Sequence, residues 1–208
     1  MLHTDTTAPR RSRNAAKGVR NSLRAATAEA HERLDGCVRE INLADRQIFG
    51  RFLLAQSGPV VALEAALEHF GVARLLDDWP LRRRTAALLH DLEYLGLCAD
   101  PCPAVWLTSV AQVFGTLYVL EGSRLGARVL LRQILAAAPS LEPATRFLSH
   151  GSDPRLWATF LQVLEANVGT NDLAECAQGA QNAFALFENS FRHALLLAPA
   201  DTGDMTAR

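Results

Sequence analysis

Four polar residues near the start of the chain lie on one side of a predicted helix. Arg24, Thr27, His31 and Asp35 follow one another at spacings of three, four and four residues. A histidine in this position could bind a metal through one ring nitrogen while Asp35 holds the other nitrogen and sets the tautomer. Arg24 could meet a carboxylate. Because a lone histidine beside an apolar face is more often structural, both interpretations stay open.

A second pattern is the stretch LEGSRLGARVLL at 120–131, which holds two glycines four residues apart. Each glycine inside a helix costs about 0.5–1 kcal/mol relative to alanine. On a helical wheel Gly122 and Gly126 fall within about 60° of Ala111 and Gly115. This strip without side chains favours either a close contact between two helices or a flat ligand lying against the backbone. It also permits a kink.

Three phenylalanines, Phe184, Phe187 and Phe191, share one face of the last predicted helix. Aromatic residues at this spacing usually belong to a hydrophobic core. They would equally suit the edge of a large planar ligand, so the pattern alone leaves both roles open.

The elements that position these residues are helical, because apolar spacing is helical almost throughout and no sustained period-two alternation occurs. We predict a single all-α domain over 19–196, between a flexible basic tail at 1–18 and a flexible C-terminal tail at 197–208. Pro59 should bend or break the second helix, Gly71 should end it, and Asp153-Pro154 should start the fifth. The predicted helices cover 19–35, 44–70, 81–95, a stretch from just after Pro103 to 138, 153–167 and 171–196.

Composition excludes several classes of function. A net charge of −1 argues against a nucleic-acid partner or an anionic membrane. No run reaches the length of a membrane span, and the N-terminus lacks a secretory signal, so we predict a cytoplasmic protein. Cys98 and Cys102 match neither a zinc spacing nor CxxC and are expected to be reduced. The three arginines at 82–84 form a short cationic cluster.

Two motifs carry a resemblance to a known family. LRAATAEAH at 23–31 and YVLEGSRLGARVL at 118–130 resemble the heme oxygenases. The likeness is nearest to the bacterial, biliverdin-producing branch that is often associated with bacteriophytochromes. It extends over about 20–196, with the motifs in the family's order. The resemblance implies an all-α helical bundle that holds heme between the first helix and a kinked, glycine-containing distal helix.

The resemblance also implies roles for the first helix. His31 matches the proximal histidine that ligates the heme iron. Thr27 and Asp35 match positions around that histidine, with Asp35 in the place of an acidic partner for the ring. Arg24 matches a basic position that reaches a heme propionate.

On the distal side, Gly122 and Gly126 match the glycines whose backbone closes over the heme. Ser123 stands where the better-known animal enzymes have an aspartate that organises pocket water. The resemblance thus predicts a catalytic role for Gly122, Ser123 and Gly126. Phe184 and Phe191 are predicted to contact the heme.

The function implied is the oxidative opening of heme to biliverdin, carbon monoxide and ferrous iron, with heme as both substrate and cofactor and O₂ as co-substrate. Electrons must come from an external donor such as a ferredoxin or a flavoprotein reductase, since no GxGxxG fingerprint is present. A bacteriophytochrome is implied as an acceptor of biliverdin. Two alternatives stay open: a non-catalytic heme carrier or sensor on the same fold, and a heme-free helical protein such as a thiaminase-like relative.

Overall fold

The computed structural model describes residues 12–99 and 101–196, and within these ranges every regular element is helical. Three short 3₁₀ turns, at 72–74, 139–144 and 170–172, connect the longer elements. The prediction of an all-α fold is therefore confirmed. The helices are α1 (Ser12–Arg39), α2 (Arg46–Phe70), α3 (Trp79–Arg82), α4 (Thr85–Leu95), α5 (Val110–Ala137), α6 (Arg146–Ser149), α7 (Pro154–Asn167) and α8 (Leu173–Leu196).

The last helix organises the bundle, because α8 packs against α1, α2 and α5. By contrast, α1 and α5 make little direct contact with each other. The core between the helices is built from large apolar side chains with almost no solvent exposure, among them Leu23, Phe49, Leu53, Phe114, Leu117 and Phe160. Within the described ranges, no helix combines the length and apolar character needed to cross a bilayer.

Two helix ends follow the sequence signals. Gly71 ends α2 in the left-handed conformation, with φ of 87°, where a residue without Cβ avoids strain. Asp153 caps α7 and Pro154 is its first residue. In contrast, α2 continues through Pro59, so a break there was the wrong expectation. Burial of Pro59 and its neighbours holds the helix together despite the missing hydrogen bond.

The helix predicted over 81–95 is split in two, which corrects the sequence-based boundary. Arg83 adopts an extended conformation between α3 and α4. The carboxylate of Glu64, from α2, accepts the backbone N–H groups of Arg84 and Thr85 at 2.8 and 3.0 Å. These donors belong to the first turn of α4, so a side chain from another helix supplies the cap that starts it.

The distal helix begins later than predicted, at Val110 instead of just after Pro103. The Ser109 hydroxyl accepts the N–H of Gln112 at 3.2 Å and so caps the first turn of α5. A serine followed by an apolar helical stretch was therefore a better start signal than the proline.

Helix α1 is described from Ser12, so it includes residues 12–18 of the stretch that was predicted as a basic tail, earlier than the predicted helix start at residue 19. Alanine, lysine and arginine in this stretch are good helix formers, which explains the extension. Residues 1–11 and 197–208, which complete the two predicted tails, lie outside the described residues.

Candidate functional site

The ring of His31 is exposed on α1, with 64% of its side chain accessible to solvent. Its Nδ1 lies 3.1 Å from Oδ2 of Asp35, one turn later. When Nδ1–H donates to this carboxylate, the lone pair of the ring resides on Nε2. The structure thus brings the predicted pair together and leaves Nε2 able to bind a metal.

Two cross-links fix α1 on α8. Arg33 Nη2 donates to Glu188 Oε1 at 2.8 Å, and Gln181 Nε2 donates to the carbonyl oxygen of Ala26 at 3.0 Å. The partners of both pairs are 155 residues apart, so the two helices run parallel. The face of α1 that carries His31 is therefore held at a constant position along α8.

The two aromatic residues predicted to contact a ligand lie in different surroundings. Phe184 is buried, and its ring meets the His31 ring edge to face with 6.1 Å between centroids. Phe191 instead packs edge to face on Phe52 of α2, at 5.9 Å, within the core. The structure therefore brings Phe184, but not Phe191, to the histidine.

Part of the small-residue strip on α5 serves helix packing. A Cβ added to Gly115 would lie 2.0 Å from the carbonyl oxygen of Cys176 on α8. In return, a Cβ added to Gly179 on α8 would lie 2.7 Å from the carbonyl oxygen of Gln112. Real Cβ atoms do not approach backbone so closely, so these two glycines allow α5 and α8 to touch.

The other part of the strip faces open space. A Cβ added to Gly126 would meet no other atom within 4 Å, and one at Gly122 would meet only the ring of Trp157, at 3.9 Å. Leu125 and Val129 share this face of α5 and are 42% and 44% exposed. An uncovered apolar face on an otherwise buried helix is typical of a ligand site. A packing role therefore does not explain Gly122 and Gly126.

One contact connects this face of α5 to α1. Tyr118, one turn before Gly122, lies close to Thr27 and within the field of Arg20 and Arg24. Burial raises the pKa of the Tyr118 hydroxyl, although the charges of Arg20 and Arg24 oppose the shift. The hydroxyl consequently stays protonated at neutral pH and can donate a hydrogen bond, beside two guanidinium groups that attract carboxylates.

The hydroxyl of Ser123 is held in place by a buried arginine, Arg84. It donates to the carbonyl of Leu120 at 2.8 Å and accepts from Nη2 of Arg84 at 2.9 Å. The Arg84 guanidinium also stacks over the ring of Phe147, at 4.9 Å. Burial, followed by the nearby charge of Arg124, lowers the pKa of Arg84 to about 10, so this side chain remains charged at neutral pH.

These arginines are functional candidates that the sequence analysis missed. The cluster at 82–84 was described as merely cationic, yet Arg82 and Arg84 are almost fully buried and only Arg83 is exposed. Glu64 and Glu121, both buried, provide the compensating carboxylates. The sequence did contain a signal for this burial, because Glu64 and Glu121 both stand within apolar helical stretches. A buried carboxylate requires a partner, and the nearby arginines are the natural candidates.

A metal site built from protein side chains alone is absent from the described residues, where no group of three or more His, Cys, Asp or Glu could hold an ion. A single histidine ligand suits heme iron, because the porphyrin nitrogens supply the other ligands that the protein does not. The cavities of about 350 and 450 Å³ lie elsewhere, at α4–α6 and between α2 and the segment 101–106. Neither contains a predicted site residue.

An all-α bundle with an exposed histidine on one helix and an uncovered glycine face on a neighbouring helix has the arrangement expected of a heme-binding enzyme. Comparison with known proteins identifies the family. The chain is 31% identical to heme oxygenase PigA of Pseudomonas aeruginosa over 194 residues, which cover 88% of this chain and 95% of that protein. It is 32% identical to a heme oxygenase of Xanthomonas campestris over 145 residues, covering 69% of this chain and 88% of the relative.

Two further comparisons agree. The family model described as heme oxygenase matches residues 99–193, which include the glycine pair and begin after His31. The crystal structures of NO- and CO-bound heme oxygenase from Neisseria meningitidis superpose with a TM-score of 0.73 at 25% identity, covering 93% of this chain and 98% of that one. The chain therefore belongs to the heme oxygenase family, and the predictions of this family, its all-α fold and a heme-degrading oxygenase are confirmed.

Proposed function

We propose that this enzyme binds heme in the slot between α1 and α5 and opens it to biliverdin, carbon monoxide and ferrous iron. The observation that supports this most is the state of His31: an exposed ring whose Nδ1 is directed at Asp35 and whose Nε2 is left for iron. When bound, heme supplies the iron centre at which O₂ reacts and is itself the substrate that is opened.

The distal residues exclude competing ligands. At Gly122 and Gly126 the helix presents backbone, so no side chain at these positions could compete for the iron of a bound heme. Ser123, fixed by Arg84, places a hydroxyl beside this face that can hold a water and pass a proton. Phe184 contributes an apolar wall next to the histidine. These residues orient the substrate and control proton delivery, while the porphyrin carries the redox chemistry.

The propionates would be held near Tyr118. Arg24 and Arg20 present positive charge there, and the Tyr118 hydroxyl can donate a hydrogen bond. Arg24 is accordingly proposed as a propionate partner, and Thr27 lies beside the tyrosine. These contacts would orient a bound heme and so would decide which meso carbon is attacked.

The partners beyond heme stay predictions. An external donor, either a ferredoxin or a flavoprotein reductase, would supply electrons in the cytoplasm. A bacteriophytochrome would accept the biliverdin.

The decisive test is a heme titration of the purified protein followed by ascorbate or a ferredoxin system in the presence of O₂. The enzyme should lose its Soret band and develop the spectrum of biliverdin. A complex that keeps its Soret band indefinitely would be a carrier, and absence of heme binding would refute the proposal.

The assignment of His31 has its own test. His31→Ala should abolish turnover and alter the spectrum of the ferric heme complex, and added imidazole should restore part of the activity by replacing the lost ligand. His193→Ala, an exposed histidine in the last turn of α8, is the matched control and should behave as wild type. A wild-type ferric spectrum for His31→Ala would assign the ligand to another histidine.

A further inference from the structure

The residue next to the first glycine of the pair is a buried carboxylate, Glu121, which has no exposed surface. Each of its oxygens accepts from a different buried arginine. Oε1 accepts from Nε and Nη2 of Arg124 at 3.1 and 3.0 Å, and Oε2 accepts from Nη1 of Arg82 at 2.6 Å. Glu121 therefore joins two cations that would otherwise be buried without a full set of partners.

Arg82 extends the connection to α7. Its Nε and Nη2 bind the carboxylate of Asp78 at 2.5 and 2.7 Å, its Nη1 donates to the carbonyl of Leu156 at 3.0 Å, and its Nη2 donates to the hydroxyl of Thr159 at 2.9 Å. Through this one side chain, the carboxylate of Glu121 fixes α5 relative to α3 and α7.

Arg124 extends the connection in the other direction. Its Nη2 donates to the carbonyl oxygen of Arg82, and its Nη1 donates to the carbonyl oxygen of His150 at 3.2 Å. The segment between α6 and α7 and the end of α3 are thus attached to α5 one residue beyond Ser123. Since the donors of Arg124 are directed at fixed backbone oxygens, loss of the Glu121 carboxylate would disturb both attachments.

The position of this network along α5 is informative. Together with Arg84, which binds Leu120 and Ser123, it holds residues 120–124 from three directions. These are the residues around Gly122, where a glycine lowers the intrinsic stability of the helix. An arrangement whose purpose was stability alone would not need buried charges, because apolar side chains of similar volume stabilise a core as well or better.

We infer that Glu121 is a positioning residue for the heme reaction. It acts through Arg82 and Arg124 to fix the position of the Gly122–Ser123 backbone relative to bound heme. Glu121 itself does not touch the substrate. The inference rests on the proposed function, since it requires heme to lie beneath this part of α5. Displacement of a reacting group by about 1 Å can lower a rate about a hundredfold, so a rigid backbone at this position matters for ring opening.

The first test needs no heme. Amide hydrogen exchange of the heme-free protein should be faster by at least about tenfold at residues 120–126 in Glu121→Gln than in wild type. The matched control is Asp91→Asn, a second fully buried carboxylate, which accepts the N–H groups of Arg146 and Phe147 at 3.1 and 2.7 Å. That variant should exchange faster around 146–149 and not at 120–126. Equal exchange at 120–126 in wild type and Glu121→Gln would overturn the inference.

The second test uses the heme complex. Glu121→Gln should bind heme with an affinity close to that of wild type, yet its kcat for ring opening should fall about tenfold to a hundredfold and its mixture of biliverdin isomers should change. Asp91→Asn should keep the wild-type isomer mixture and the wild-type kcat per folded molecule. A normal kcat with normal isomers in Glu121→Gln would show that the network only stabilises the fold.

Arg124→Gln provides a second variant, should Glu121→Gln fail to fold. It removes one arm of the network, so the same shift of kcat and isomers is expected, and its absence would also overturn the inference. Failure of the proposed function is distinguishable: wild type would then bind heme without opening it. In that case the exchange experiment still reports whether Glu121 orders residues 120–126.

Discussion

A methyl group added at Gly126 and one added at Gly115 should change the stability of the heme-free protein in opposite directions. At Gly126 the new Cβ meets nothing within 4 Å, so no packing cost arises. Glycine in a helix costs about 0.5–1 kcal/mol relative to alanine, and Gly126→Ala should recover about that amount. We therefore expect the free energy of unfolding to rise, although the substitution lies in the proposed active site.

Gly115→Ala should show the reverse. Its Cβ would lie 2.0 Å from the carbonyl oxygen of Cys176 and 2.7 Å from the backbone nitrogen of Ala180, and backbone atoms cannot rotate away as a side chain could. The two helices must separate, which costs about 1–3 kcal/mol for overpacking. The gain in helix propensity offsets only part of this cost, so the free energy of unfolding should fall.

Denaturant unfolding and thermal melts of the heme-free variants measure both effects. For a domain of this size a change of 1 kcal/mol shifts Tm by about 2–4 °C. In the assay with heme, the variant at Gly126 should be the more damaging one. Gly126→Leu should fold well but bind heme poorly or bind it without opening it. Gly115→Ala should retain normal turnover per folded molecule. If Gly126→Ala destabilised the heme-free protein as much as Gly115→Ala, both glycines would serve helix packing and the ligand face would be refuted.

Two further predictions concern charge. Arg24→Glu should weaken heme binding by about 1.5–3 kcal/mol or change the mixture of biliverdin isomers, because it removes a charge-assisted contact to a propionate. A heme titration measures the affinity, and chromatography of the products measures the isomers. If both are unchanged, Arg24 is not part of the site. Burial, followed by the charges of Arg124 and Arg84, lowers the pKa of His150 in the folded protein. The unfolded chain then binds more protons, so stability should be lost as pH falls below about 6.5. His150→Gln should flatten this part of a plot of unfolding free energy against pH, and an unchanged slope would contradict the assignment.

Local signals were sufficient for part of the fold. Asp153-Pro154 marks the start of α7, and Gly71 marks the end of α2, because caps depend on residues within one turn. His31 and Asp35 could be paired from their spacing alone, since four residues along a helix bring side chains together. These features need no knowledge of the rest of the chain.

Features that depend on distant partners could not be predicted in this way. The break before α4 is made by Glu64, about 20 residues earlier, and the burial of Arg82 depends on Glu121, 39 residues later. The helical wheel likewise groups Gly115 with Gly126, although one touches α8 and the other touches nothing. The neighbouring helices decide which part of a helix surface is covered. The sequence period therefore shows that small residues share one face, but it does not show what packs against that face.

The attachment of α1 has a consequence for the exchange of substrate and product. This helix is cross-linked to α8 through Arg33 and Gln181 and also packs against α7, whereas it makes little direct contact with α5. Two helices with so little mutual contact can separate slightly without breaking the packing of α1 on α8 or α7, and such local opening costs only a fraction of the free energy of global unfolding. Entry of heme and departure of biliverdin can then proceed while the core stays closed, and their rates should be independent of substitutions that destabilise the bundle elsewhere.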